Sequence, residues 1–533
     1  MKTISILCQV GLFLIISTNA QSQNKNTPPP QIEIANGAIQ GMNDSGVYIY
    51  KGIPFARPPV DNLRWKPPQP AKNWKGVRKA DHFGNGCMQR PIFGDMKFRF
   101  PKKSEDCLYL NVWTPVKPAK SHKEHLPVLV YFYGGGYMAG DGSEYRYDGE
   151  SMARNKKIVT VTANYRLNVF GFMAYPGLTK ESPHHASGNY GLLDQVQVLR
   201  WVKKNIAAFG GDPNKVTIGG ESAGSMSVSG LMASPLTRGL FRGAVGESGG
   251  LFGPLTPMPL SKAEEQGEHF AKMVGAQSLA QLRAMPASEL LKATAERGSP
   301  YFSDDVDGYF LPRTPAQIYE AGDQAHVPLL LGWNSEEMNY HALLRGKQPT
   351  PENFISVIKK DYGKNADEML KLFPHSNKQE VIKSGTNLAS DRFTLFGTWK
   401  WAELQSKTGE KPVYRYYYSR PRPQMRNNTG NNNSRPTGAV HSAEIEYVMG
   451  NLPTNRVYDW QPADYKVSHI FQDYVSNFVK NGNPNGLGLP MWKPLNKGNE
   501  HNVMHIDVNT FLQPAQHRNQ LLYLDKLYSQ SNK

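Results

Sequence analysis

Apolar positions along the chain follow two periods. Val128-Leu129-Val130-Tyr131-Phe132-Tyr133 and Ile158-Val159-Thr160-Val161-Thr162 are unbroken β-branched and aromatic runs, the pattern of strands covered on both faces. Val327-Pro328-Leu329-Leu330-Leu331-Gly332 reads as a third, shorter one. Between residues 192 and 208, Leu192, Val196, Leu199, Val202 and Ile206 recur at helical spacing, and Gly210-Gly211-Asp212-Pro213 ends the helix. Residues 261–297 are also helical in pattern but more polar, which suits helices lying over a core. Strands alternating with helices predict an α/β chain: a large twisted, mostly parallel sheet flanked by helices, with helical insertions. No fixed-period repeat or internal linker divides the sequence, so residues 31–533 are expected to form a single domain.

The two ends of the charge and polarity pattern refine this picture. Lys2 precedes an apolar stretch from position 4 to 16 that closes on Thr18-Asn19-Ala20, which predicts a signal peptide over 1–20 and export to a periplasmic or extracellular compartment. The stretch is too short to span a bilayer comfortably, and no later segment approaches that length. Residues 21–30 are polar and proline-rich and are expected to be a disordered leader. Past the signal, Cys87 and Cys107 are the only cysteines, and an even pair in an exported protein suggests one disulfide. The formal net charge of +16 raises the question of nucleic acid. The basic residues are scattered, however, without basic runs or aromatic-basic repeats, so no nucleic-acid partner is expected. The densest basic group, Arg415, Arg420, Arg422, Arg426 and Arg435, reads as a solvated loop, with steering of acidic esters as the rival role. The stretch from Asn427 to Asn433 is low in complexity and reads as a mobile loop.

The chemistry concentrates at Val216-Thr217-Ile218-Gly219-Gly220-Glu221-Ser222-Ala223-Gly224, a strand driven into Gly-x-Ser-x-Gly and followed by a helix-forming run. This resembles the nucleophile elbow of α/β-hydrolases, a sharp turn that exposes one serine hydroxyl. The pattern occurs again at Gly246-Glu247-Ser248-Gly249-Gly250. There Pro254, Pro257 and Pro259 follow, and a helix cannot run through them. Ser222 is therefore the expected nucleophile and Ser248 a strand-end serine near the site.

A serine hydroxyl reacts only when an imidazole takes its proton and an acid orients the imidazole. In these enzymes the chain order is serine, acid, histidine. Gly134-Gly135-Gly136-Tyr137 follows an apolar strand directly, so the N–H groups of Gly135 and Gly136, with that of Ala223, are the expected oxyanion donors. The same glycines loosely fit a dinucleotide fingerprint, but turn residues at Gly140-Asp141-Gly142-Ser143 replace the helix it requires. The acid falls just past a strand end at Glu336 or Glu337, which spacing leaves open. Among the later histidines, His441 lies in a loop from which it can reach a serine. His469 sits in an amphipathic stretch and reads as a packing residue.

Taken together the chain resembles the type-B carboxylesterase family, which includes cholinesterases and bacterial para-nitrobenzyl esterases. The likeness runs from about Ile32 to Leu524. It rests on Gly52-Ile53-Pro54-Phe55-Ala56, Leu63-Arg64-Trp65, Glu105-Asp106-Cys107-Leu108-Tyr109-Leu110-Asn111-Val112, Asn164-Tyr165-Arg166, Gly191-Leu192-Leu193-Asp194-Gln195 and Phe209-Gly210-Gly211-Asp212-Pro213. The resemblance implies the triad Ser222, Glu337 and His441, a Cys87–Cys107 disulfide, and ion pairs Arg64–Glu105 and Arg166–Asp212. Two positions depart from the family pattern. Met338 replaces a glycine, which predicts a reshaped Glu337 loop. Glu247 replaces a glutamine, which predicts an extra carboxylate near the pocket that disfavours anionic acyl groups or alters the pH profile.

The expected function is hydrolysis of a small-molecule carboxylic ester through an acyl-enzyme, with no cofactor and no metal. A non-catalytic binding module on the same fold and amide hydrolysis by the same triad are the alternatives. The sequence is silent on oligomeric state.

Overall fold

Seven strands run parallel through the centre of the molecule because each connection between them crosses over through helix or long loop. In spatial order they are Asn502–Ile506, Val413–Tyr418, Leu329–Asn334, Gly243–Glu247, Gly211–Glu221, Leu126–Phe132 and Val159–Ala163. Antiparallel strands extend both edges, with Phe511–Pro514 on one side and Tyr109–Thr114, Val47–Pro54 and Met42–Asp44 on the other. The resulting sheet has eleven strands. The computed structural model describes residues 29–118, 124–426, 437–495 and 501–531.

The central strands are apolar on both faces because helices cover both. Val128, Leu129, Val130, Tyr131 and Phe132 are all buried, as are Val159 and Val161. The helix Tyr190–Asn205 buries Leu192, Val196, Leu199 and Val202, matching the periodicity of the sequence. It winds into a 3₁₀ turn and stops at Gly210, whose φ of +77° a residue with a Cβ rarely adopts. The polar stretch after the second serine forms three short helices, Leu260–Met273, Leu279–Ala284 and Ala287–Ala293. A further helical block, unforeseen from the sequence, lies between the strands Leu329–Asn334 and Val413–Tyr418. Its helices Pro351–Tyr362, Lys378–Ser390 and Phe396–Thr408 enclose a second apolar cluster around Leu344, Phe354, Val381 and Trp399.

Cys87 and Cys107 are joined, closing a loop with a sequence separation of 20. Such a closure stabilises by roughly 3 kcal/mol in the chain-entropy account. The loop is tied down further by Arg99, which pairs with Asp148 at 2.5 Å, and by Asp95, 3.2 Å from Arg146.

Arg64 grips Glu105 through two contacts of 2.6 Å, as the resemblance implies. Arg166 does not pair with Asp212. It binds Asp194 at 2.7 and 2.8 Å, while Asp212 faces Lys215 at 3.4 Å. The reason is topological: Arg166 follows the C-terminal end of its strand, whereas Asp212 opens the strand Gly211–Glu221 at the opposite end of a parallel sheet. The arginines expected to form a solvated loop are mostly enclosed. Arg415 and Arg422 are buried against Glu403 and Glu446, and Arg420 holds Asp464 at 2.7 Å. Arg426 donates to the Tyr458 carbonyl at 3.1 Å. The low-complexity stretch 427–433 and Arg435 lie outside the described residues. So does the signal segment, with the leader as far as residue 28. Pro30, assigned to that leader, is buried, and its carbonyl accepts the Gly41 N–H at 2.8 Å. His469 lies on the exposed face of the helix Pro462–Asn481 and is no packing residue.

Candidate active site

Pairing register aligns the C-terminal ends of four neighbouring strands. Gly220 lies beside Phe132, Glu221 beside Glu247, and Glu247 beside Gly332. The segments that leave this edge are the glycine loop after Phe132, Ser222 after Glu221, Ser248 after Glu247, and the glutamates after Asn334. Residues as far apart in the chain as Gly134 and Glu337 thus meet within one small volume.

Ser222 caps the helix Ala223–Ala233 with φ +56° and ψ −123°, a strained conformation of the kind stored at functional sites. Its glycines are required sterically. A Cβ on Gly220 would sit 2.6 Å from the Gly224 carbonyl carbon, and one on Gly224 would sit 2.1 Å from the Phe132 carbonyl oxygen. The turn is therefore packed too closely for any side chain there. The Ala223 N–H, in the first turn, has no carbonyl of its own helix to bond.

The hydroxyl of Ser222 lies 2.9 Å from His441 Nε2, and His441 Nδ1 lies 2.6 Å from Glu337 Oε2. Spacing alone left two glutamates open and the resemblance implied Glu337; the turn after Asn334 separates them. Glu337 is buried, with its second oxygen accepting the Asn334 N–H at 2.6 Å. Glu336 faces the other way and accepts the Thr437 hydroxyl. Met338, in the glycine's place, keeps a negative φ, and the Ser390 hydroxyl bonds both its N–H at 3.1 Å and its carbonyl at 2.9 Å.

The glycine loop runs alongside the serine. A Cβ on Gly134 would lie 2.8 Å from the Ser222 Cβ. Gly135 and Gly136 have φ of +107° and +61°, open to glycine and strained for other residues. The Gly135 carbonyl accepts the N–H groups of Met138 and Ala139 at 3.0 and 3.1 Å. Those bonds fix and polarise the peptide whose N–H belongs to Gly136.

Ser248 shares the left-handed backbone of Ser222, with φ +55°. Its hydroxyl donates to Glu444 at 3.2 Å instead of meeting an imidazole, as expected of a strand-end serine near the site.

Sequence reasoning foresaw Glu247 as an extra carboxylate near the pocket but missed the buried carboxyls of Glu221 and Glu444 that join it beside the imidazole. Glu221 Oε1 lies 3.3 Å from His441 Nε2. Glu444 accepts Asn334 Nδ2 at 2.5 Å. Glu247 sits beside Glu221 in register, and neither of its oxygens meets a hydrogen-bond partner among the described residues, the Tyr131 hydroxyl lying alongside outside bonding geometry. Burial pushes Glu221 up to about 8 and Glu444 up to about 7, and it raises Glu247 strongly. Burial alone would lower the His441 imidazole, but the charges of Glu221 and Glu337 outweigh it and hold it at about 9. Phe393 closes the imidazole's flank edge-on, with centroids 4.9 Å apart. The one sequence signal for this group was the glutamate before the serine in both Gly-x-Ser-x-Gly copies. No cluster of three or more metal-binding side chains occurs among the described residues, and no described helix is long and apolar enough to cross a membrane.

A serine on a strand-to-helix turn, faced by an imidazole and a glycine loop at the C-terminal edge of such a sheet, defines an α/β-hydrolase. The pattern of the Carboxylesterase family matches residues 28–522. The chain belongs to that family and is a carboxylic-ester hydrolase. It is 35% identical to the fumonisin B1 esterase of Sphingopyxis macrogoltabida over 79% of this chain and 75% of that protein. It is 32% identical to the para-nitrobenzyl esterase of Bacillus subtilis, covering 84% and 89% respectively, and 32% identical to liver carboxylesterase 1 of Oryctolagus cuniculus, covering 91% of both. A solved para-nitrobenzyl esterase structure superposes with a TM-score of 0.78 at 29% identity, over 93% of this chain and 99% of that one.

Proposed function

We propose that this chain is an exported serine esterase in which Ser222, His441 and Glu337 form the catalytic triad. The observation that carries the reading is the unbroken relay of 2.9 and 2.6 Å contacts from serine through imidazole to carboxylate. Ser222 Oγ attacks the ester carbonyl carbon while His441 Nε2 takes its proton. Glu337 holds the ring and offsets the imidazolium charge. The N–H groups of Gly135, Gly136 and Ala223 receive the oxyanion, each donor of this kind being worth about 3 kcal/mol in the transition state. His441 then protonates the departing alcohol, and a water activated by the same imidazole releases the acid and regenerates the serine. The relatives named above are esterases and a carboxylesterase, which supports a carboxylic ester as the substrate.

Export is supported by the disulfide, since such bonds persist in oxidising compartments. One experiment tests both halves. Protein purified from its own host is treated with a reactive organophosphate and read by mass spectrometry. A single adduct on Ser222 and an N-terminus at Gln21 are expected. An inactivated enzyme with unmodified Ser222 excludes the triad, and a retained Met1 excludes the signal peptide.

The buried carboxyls also fix a pH dependence. The imidazole must be neutral to accept the serine proton, and its pKa is held at about 9, above the ordinary 6.5. Activity is therefore lost as pH falls through that raised value. The acid limb of kcat/KM is expected above pH 7, and Glu221→Gln, which removes a charge 3.3 Å from Nε2, is expected to move it to lower pH. A limb at or below 6.5 in the parent enzyme contradicts this account.

A further inference from the structure

The glycine loop is held at several points. Its own turn secures the Gly135 carbonyl, and the Asn168 N–H bonds the Tyr137 carbonyl at 2.7 Å. Between them, the Gly136 carbonyl accepts a hydrogen bond from a distant segment: the Tyr301 hydroxyl donates to it at 2.6 Å. Tyr301 follows the three short helices inserted after the second serine and is 48% exposed. Across the loop, the Met96 Cε from the disulfide-closed segment would lie 3.1 Å from a Cβ on Gly135.

A glycine peptide rotates more freely than any other. Gly136 is flanked by two peptides. The one before it carries its N–H and is fixed by the Gly135 carbonyl bonds. The one after it carries the carbonyl that Tyr301 holds. If the second peptide swings, the ψ of Gly136 and the φ of Tyr137 change together, the tight turn that brings the Met138 and Ala139 N–H groups onto the Gly135 carbonyl opens, and the Gly136 N–H is freed to tilt away from the oxyanion position. Donors work in catalysis because they are already aimed before charge develops.

We propose that Tyr301 is a positioning residue: its hydroxyl clamps the Gly136 carbonyl from the inserted segment and so keeps the Gly136 N–H aimed at the oxyanion. The inference rests on the reading of Gly135, Gly136 and Ala223 as the oxyanion donors. It makes the inserted segment part of the catalytic geometry as well as a cover.

The test is Tyr301→Phe, which deletes one hydroxyl from a half-exposed ring and leaves the fold's core untouched. With a short-chain nitrophenyl ester, kcat is expected to fall about fivefold to tenfold, as for loss of one ordinary hydrogen bond, with KM unchanged. Affinity for a trifluoromethyl ketone, which forms a tetrahedral adduct with the serine, falls by the same factor, and the melting temperature stays constant. A normal kcat, or a loss confined to KM, overturns the proposal. A crystal structure of the ketone adduct, obtained in parallel, separates this from failure of the underlying reading. An adduct oxygen beyond hydrogen-bond reach of the Gly136 N–H removes Gly136 from the oxyanion site, whereas an oxygen within reach beside a normal Tyr301→Phe removes only Tyr301.

Discussion

Ser222→Ala will lower kcat by about 10⁵- to 10⁶-fold, because loss of the nucleophile in a working triad costs nearly as much as loss of all three members. Ser248→Ala will retain most of the activity. The comparison is demanding because the two serines look alike locally. Both end a strand of the same sheet, both follow a glutamate, and both adopt a left-handed backbone with φ near +55°. What separates them is what each hydroxyl faces: His441 Nε2 at 2.9 Å for Ser222, and the Glu444 carboxyl at 3.2 Å for Ser248. Steady-state turnover of a nitrophenyl ester by the two purified variants decides the matter, and an active Ser222→Ala enzyme reverses the assignment.

Glu337→Gln will cost about 10³- to 10⁴-fold in kcat, with KM little changed. The amide keeps the size of the side chain but cannot stabilise the imidazolium, and it presents a donor where Nδ1–H needs an acceptor. Glu336→Gln, one residue earlier, will stay within a few-fold of the parent, since Glu336 is engaged by Thr437. Equal losses in the two variants would mean that the loop, and not the carboxylate, carries the effect. Both changes are isosteric, so thermal melts of the two proteins provide the control for folding.

Much of the site was legible because it is local. The elbow and the glycine loop are consecutive residues whose backbone demands glycine, and such demands are written where they apply. The distinction between Glu336 and Glu337 was not local. It depends on a turn that lets the Asn334 N–H bind one carboxylate and thereby aim the other oxygen at His441. The Arg166 partner was misplaced because a motif says nothing of which end of a parallel strand a residue occupies. The exposed His469 shows the limit of periodicity: an amphipathic helix has two faces, and one position out of phase changes the side. Glu247 was legible as an extra carboxylate, but its grouping with Glu221 was not, because the two become neighbours only through strand register.

The inserted helices leave the sheet after Gly243–Glu247 and return to Leu329–Asn334, and those two strands are hydrogen-bonded to each other. An excursion whose start and finish already touch can lengthen or shrink between its seams, provided that Tyr301 still reaches the Gly136 carbonyl. Evolution is thereby handed an adjustable rim, and an engineer a natural cassette with its seams set in the central sheet.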